Sequence, residues 1–249
     1  MRKITINLAA VAAFCIVVAS PALVSSSCAT PQTEQEDTTI IREDLGITAL
    51  KYSSPEVPSS IEFCGKVIDL SRFDRHERMD RELLAFTYMH STSLQMLKKA
   101  NRYFPIVEPI LKENGIPDDF KYLMVIESNM NPTARSSAGA AGLWQFMQGT
   151  GRDYGLEVNN NVDERYHIEK ATRAACRYLK DAYAKYKDWV AVAASYNAGQ
   201  ARIASQLAKQ DVDDSLDLQL VEETARYVYR ILADQTIVQS PLLLSVPSA

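Results

Sequence analysis

Ile116-Pro117-Asp118-Asp119-Phe120-Lys121-Tyr122-Leu123-Met124-Val125-Ile126-Glu127-Ser128 reads as a short helix with both ends marked. Pro117 and Asp118 are a start signal, and Asn131-Pro132 forces a stop just past Ser128. Phe120, Leu123, Met124 and Glu127 fall at i, i+3, i+4 and i+7, so one carboxylate lies on the apolar stripe. Burial raises a carboxylate pKa, and the negative end of the helix dipole acts in the same direction. A carboxyl kept protonated near neutral pH suits a general acid for breaking a glycosidic bond. Taken alone, Glu127 is better read as a residue that caps or pairs at a helix end. Its companions are Gly142-Leu143-Trp144-Gln145-Phe146 and, much later, Ser195-Tyr196-Asn197-Ala198-Gly199.

Outward from this stretch the periodicity is helical. Leu83, Phe86, His90, Leu94 and Leu97 place a helix over 80–103, which Pro105 is expected to break. Residues 106–114 form another short helix, closed by Gly115 and Pro117. After Glu127 comes a loop of small residues, 133–142, then a helix starting near Leu143, then a turn-rich piece over 149–155. Residues 167–186 are a clear amphipathic helix with Ala175, Tyr178, Leu179, Ala182 and Tyr186 as its stripe. Residues 189–196 make a helix of small residues, and 222–233 make the last one. The Asp cluster over 211–217 reads as a solvated loop rather than a metal site. No stretch shows sustained strand alternation, so the fold is expected to be all-α or nearly so.

The chain has 249 residues, 47% apolar and 23% charged, with a net charge of −4. That is ordinary globular composition with room for one good core. There is no basic stripe for nucleic acid, no zinc-type Cys/His spacing and no phosphate loop. Arg2 and Lys3 precede an apolar run over 8–19 that is short for a membrane span and reads as an export signal. Val24-Ser25-Ser26-Ser27-Cys28 follows where a lipoprotein would be processed, although Ser25 stands where a Leu is usual. Lipidation of Cys28 is the reading adopted; simple cleavage near Ser26 or Ala29 is the other. A diacylated cysteine would hold the protein at a membrane surface. Residues 1–27 are thus a signal peptide and 28–60, rich in Thr, Ser, Gln, Glu, Asp and Pro, a flexible tether. Cys64 and Cys176 are read as two separate buried thiols, though an exported chain allows them to pair.

Four motifs occur in order: Glu127-Ser128, Gly142-Leu143-Trp144-Gln145-Phe146-Met147, Tyr196-Asn197-Ala198-Gly199, and Glu223-Thr224-Ala225-Arg226-Tyr227-Val228. Each is weak by itself, but the order and separations together are specific. Over roughly residues 80–235 the chain resembles the soluble-lytic-transglycosylase (SLT) domain of bacterial murein lytic transglycosylases, with a look of the membrane-bound type D branch. Where the family often has Met or Ile, Trp144 stands, which the type D branch accepts. The C-terminal cell-wall-binding LysM repeats usual in that branch are not seen before Ala249.

The resemblance implies a lysozyme-like catalytic domain over 117–235, preceded by an N-terminal helical extension over 61–116 and followed by a tail over 236–249. It implies that Glu127 is the single catalytic acid and base. Ser136 matches a serine that orients the substrate N-acetyl group. Gln145 and Met147 match residues lining the sugar groove. Tyr196 and Asn197 match a pair whose Tyr hydroxyl lies beside the catalytic carboxylate. Glu223 and Tyr227 match the motif of the last helix facing the same cleft. Gly139 and Gly142 would let the loop backbone approach a ligand; Phe146 is read as core.

The implied substrate is the glycan strand of peptidoglycan, cut between N-acetylmuramic acid and N-acetylglucosamine without water, leaving a 1,6-anhydro ring. No cofactor, metal or nucleic acid is expected. Membrane contact comes through the lipid anchor, in a periplasmic setting at the outer membrane. Ordinary glycosidases need two carboxylates. Asp163, the best second candidate, looks like a helix N-cap. A water-using muramidase and a non-catalytic glycan-binding lipoprotein are the competing readings.

Overall fold

In the computed structural model the described residues are 55–87 and 90–240; the signal peptide, most of the tether with Cys28, and residues 241–249 lie outside them. The sequence expectation of a nearly all-helical fold holds, with one addition at the start. A β-hairpin pairs β1 (Ser60–Phe63) with antiparallel β2 (Lys66–Asp69). Its two-residue turn is Cys64-Gly65, both at positive φ (54° and 80°), the backbone twist that matches a right-handed strand pair. Phe63 and Ile68 point into the core, and the Cys64 amide donates to Asp119 Oδ2 at 2.6 Å.

Among the described residues eight α-helices follow. They are α1 (Phe73–Thr87), α2 (His90–Glu113), α3 (Leu123–Ser128), α4 (Gln148–Asp153), α5 (Ile168–Tyr186), α6 (Trp189–Ala198), α7 (Gln200–Lys209) and α8 (Glu222–Gln239). Three boundaries correct the sequence reading. The expected helix over 80–103 is two helices. The second, α2, runs through both Pro105 and Pro109 to Glu113. Each proline removes one amide donor from the ladder, and packing of Phe104, Val107, Ile110 and Leu111 into the core outweighs the loss. Residues 143–146 are turn rather than helix, and the turn-rich piece after them is α4. Helix α8 continues to Gln239, so the expected tail over 236–249 begins as helix.

Helix α6 is the centre of the molecule. Val190 through Ser195 are all buried, so it carries no polar face and must be surrounded by other elements. Helices α5, α7 and α8 pack around it. Asp188 caps its N-terminus, accepting from the amides of Val190 and Ala191 at 2.7 and 3.2 Å. The predicted stripe of α5 is largely confirmed: Ala175, Cys176, Leu179 and Ala182 are buried.

Helix α1 lies on α8. Glu82 is only 4% exposed and accepts from Arg226 of α8 at 2.7 and 3.1 Å. Arg75 reaches across to Asp214 and Asp217 at 2.8 and 3.0 Å, and Lys66 adds a contact to Asp214 at 3.1 Å. The acidic stretch over 211–217 is therefore tied to the hairpin and α1, not merely solvated. One partner of each pair is partly exposed, so solvent screens them; together they tie the hairpin and α1 to α8 and to the 211–217 stretch. Cys64 and Cys176 are both free, as read from the sequence. Burial pushes the Cys176 thiol up to about 11. Among the described residues no helix is long and apolar enough to cross a membrane.

Candidate active site

Helix α3 places one carboxylate and then stops. Leu123, Met124 and Val125 are buried, which leaves Glu127 half-buried on the last turn. Asn129 and Met130 both take left-handed backbone (φ 50° each). Their amides return to the carbonyls of Val125 and Met124 at 2.8 and 3.1 Å, a C-terminal cap of the αL type. Ser128 Oγ donates to Leu143 O at 2.9 Å. The end of α3 is thus fastened to the turn carrying Trp144 and Gln145.

That turn is built from its own sequence. A Cβ on Gly142 (φ 79°) would sit 1.9 Å from Arg165 O, so the residue can only be glycine. This corrects the expectation that Gly142 admits a ligand: it admits the backbone of Arg165. Gln145 has left-handed backbone (φ 48°), and its side-chain Nε2 donates to Gly142 O at 2.8 Å and Ala134 O at 3.3 Å. Trp144 is fully buried, its indole N–H donating to Thr172 Oγ1 at 3.0 Å. Phe146 is core, as expected, and Met147 is 46% exposed at the turn's outer end. Ser136 Oγ accepts from the Ala140 amide at 3.0 Å within the same loop. Arg165 clamps the loop from behind, donating to Gly139 O and Phe146 O at 2.8 and 3.0 Å. Asp163 is the N-cap the sequence indicated; it accepts from the Arg165 amide and pairs with its guanidinium at 2.7 Å. Its carboxylate is occupied structurally.

Helix α8 brings the group that touches Glu127. Tyr227 Oη donates to Glu127 Oε1 at 2.6 Å. The resemblance placed the Tyr196 hydroxyl beside the same carboxylate, and the hydrogen bond to Glu127 is made by Tyr227 instead. Tyr196 Oη donates to Trp144 O at 2.8 Å, while its ring remains close enough for the Glu127 charge to raise its phenol pKa, second to burial. Asn197 Oδ1 accepts from Thr224 Oγ1 at 2.8 Å, tying α6 to the first turn of α8. Glu223, one turn before Tyr227, is exposed.

Burial raises the Glu127 pKa from 4.5 to about 7. The Tyr227 hydrogen bond and the charge of Arg230 oppose the rise, and the charge of Glu223 adds to it. A carboxyl in this state is partly protonated at neutral pH and exchanges its proton readily, which is what a group serving first as acid and then as base requires. Glu127, Tyr196, Glu223 and Tyr227 are brought together by these contacts and charges. Ser136, Gln145 and Met147 belong to the loop that flanks them. Arg230, whose charge reaches Glu127, was not picked out from sequence. Its signal was the spacing of Glu223, Tyr227 and Arg230 at i, i+4 and i+7 on one helix face.

The family profile of the transglycosylase SLT domain matches residues 105–217. Over 169 residues, 66% of this chain, the sequence is 30% identical to the membrane-bound lytic murein transglycosylase D of Escherichia coli strain K12 and spans 36% of that protein's length. It is also 30% identical over 132 residues to the peptidoglycan transglycosylase gp16 of Escherichia phage T7, covering 52% of this chain and 10% of that one. Among solved structures, an inactive mutant of lytic transglycosylase Slt from Pseudomonas aeruginosa aligns at TM-score 0.47 and 22% identity, over 71% of this chain and 32% of that chain. The profile match contains Glu127, Ser136, Gln145, Met147, Tyr196 and Asn197. It ends before α8, which supplies Tyr227.

Proposed function

We propose that the chain belongs to the transglycosylase SLT family, whose profile matches residues 105–217, and that it is a peptidoglycan lytic transglycosylase with Glu127 as its acid and base. The observation that carries the reading is the state of that one carboxyl: half-buried, with a pKa of about 7, and held by Tyr227 at 2.6 Å. The protonated form gives its proton to the glycosidic oxygen between N-acetylmuramic acid and N-acetylglucosamine. The muramoyl N-acetyl carbonyl stabilises the cation that develops. The resulting carboxylate, steadied by Tyr227, then removes the proton of the C6 hydroxyl, whose oxygen closes the 1,6-anhydro ring. Ser128 and Tyr196 hold the adjacent carbonyls of Leu143 and Trp144 in the turn that flanks this carboxyl, and Asn197 ties α6 to α8.

A muramidase would need a second carboxylate to activate water. Asp163 is committed to Arg165, and Glu223 is exposed and acts on Glu127 through its charge. Glu127→Gln keeps the shape but has no acidic proton. Its turnover of purified peptidoglycan is expected to fall by at least ~10² with the fold intact; near-normal turnover would refute the assignment.

Export and anchoring at Cys28 complete the proposal, supported by Arg2, Lys3, the apolar run after them and the Ser-Ser-Ser-Cys site. The names of the E. coli relatives, membrane-bound lytic transglycosylases, agree with a membrane-associated enzyme of the periplasm, and the outer membrane is the site proposed. A fatty-acid label should mark the wild type and not Cys28→Ala; equal labelling of both would remove the anchor.

A further inference from the structure

Arg230 stands one turn beyond Tyr227 on the face of α8 that meets Glu127, and it is solvent-exposed. Like Arg78, Arg102, Arg135, Arg152, Arg177 and Arg202, it makes no ion pair within 4 Å among the described residues; what sets it apart is that its charge acts on Glu127. Its charge reaches two carboxyls, Glu127 and Asp234, and two more acids, Glu223 on α8 and Glu82 on α1, act on those same carboxyls. Each is unavailable for its own reason. Glu127 is bonded to Tyr227. Asp234, four residues on, is 5% exposed, and burial raises its pKa to about 8, so it is uncharged at neutral pH. Glu82, which faces Asp234 from α1, is claimed by Arg226 and Arg81. The remaining acid on this face, Glu223, is two turns back and exposed. Arg230 is therefore an exposed charge that acts on Glu127 and has no ion-pair partner within 4 Å among the described residues.

We propose that Arg230 is a specificity-determining residue that binds a carboxylate of the glycan substrate beside the bond to be cut. The inference rests on the proposed function and goes beyond it by naming the charged feature that the enzyme reads. A planar guanidinium pairs with carboxylate through two parallel hydrogen bonds, which suits it to this role better than a lysine. Peptidoglycan offers carboxylates from two sources. One is the lactyl group of muramic acid when its peptide has been removed; the other is the stem peptide when it is present.

The test is binding in the Glu127→Gln background, where no turnover intervenes. Three ligands of equal length are titrated calorimetrically: peptide-bearing glycan, glycan stripped of peptides with free lactyl carboxylates, and neutral N-acetylglucosamine oligomer. The Glu127→Gln protein should prefer an acidic ligand to the neutral one, and that preference should weaken as salt is raised. Adding Arg230→Gln should abolish about tenfold or more of the preference, the scale of a hydrogen bond to a charged group. Arg230→Lys should restore part of it. Loss confined to stripped glycan identifies the lactyl carboxylate, and loss confined to peptide-bearing glycan identifies the stem. An unchanged preference, or an equal loss on all three ligands, overturns the proposal. If the Glu127→Gln protein binds none of the three, the glycan-binding function itself fails, and this proposal with it.

Discussion

Replacing Tyr227 by Phe removes one atom, the hydroxyl that donates to Glu127 Oε1 at 2.6 Å. The ring, buried in the face of α8 that meets the core, keeps its packing. That hydrogen bond stabilises the carboxylate and so lowers the Glu127 pKa from where burial alone would put it. Its loss raises the pKa above about 7. A hydrogen bond to a charged group contributes about 1.5–3 kcal/mol, and one pKa unit corresponds to about 1.4 kcal/mol, so the rise is at most about one to two units. Activity that needs the protonated acid falls as pH passes the Glu127 pKa. In Tyr227→Phe this alkaline limb of kcat/KM should move to higher pH. The same hydroxyl steadies the carboxylate left after proton donation, so kcat at the optimum should drop by roughly tenfold to a hundredfold. Turnover of purified peptidoglycan followed from pH 4 to 9 measures both effects. An alkaline limb that stays in place with unchanged kcat would refute the role given to Tyr227.

Three further substitutions follow from the geometry. Glu127 has a raised pKa in the fold, so folding favours its protonated form; stability is greatest below pH 4.5 and falls as pH rises towards about 7. Glu127→Gln should therefore be more stable than wild type at pH 8, by up to about 3 kcal/mol, with the gap closing near pH 4; denaturant melts at both pH values decide, and a gap independent of pH contradicts the burial argument. Tyr196→Phe removes the anchor on Trp144 O. It should lower stability by about 1 kcal/mol and move the pH profile less than Tyr227→Phe does; the opposite ranking would return the catalytic contact to Tyr196. Gly142→Ala forces a Cβ to within 1.9 Å of Arg165 O in left-handed backbone. It should destabilise the fold by more than the ~1–3 kcal/mol of the backbone strain alone, and a melting temperature equal to wild type would show that the turn can move.

The long helices were legible because their apolar stripes are long. Helix α5 repeats its stripe over five turns, and the small residues of α6 match a helix buried on every side. The failures have physical causes. Pro105 looks like a break, but it sits within a helix whose Phe104, Val107, Ile110 and Leu111 face the core, and tertiary burial outweighed the missing donor. The Gly142–Phe146 segment has the apolar content of a helix, yet Gly142 and Gln145 both take positive φ to pass Arg165, a contact made with a residue 23 positions later. The hairpin escaped notice because four-residue strands carry almost no periodicity; Cys64-Gly65 at its turn was the available signal. In the site, the carboxylate and its flanking loop were readable as ordered motifs. Which tyrosine touches Glu127 was not, because Tyr196 and Tyr227 both approach and only the packing of α6 against α8 decides between them. Arg230 was overlooked for a simpler reason: an arginine on a helix is ordinary until its neighbours prove to be occupied.

The central claim concerns what attacks the sugar once Glu127 has given up its proton. Mass spectrometry of the muropeptides released from purified peptidoglycan answers it directly. The account predicts ends that carry a 1,6-anhydro ring and are lighter by one water than a hydrolysed end, and predicts that they vanish with Glu127→Gln. Reducing ends as the sole product would show that water is the nucleophile, and the protein would be a muramidase.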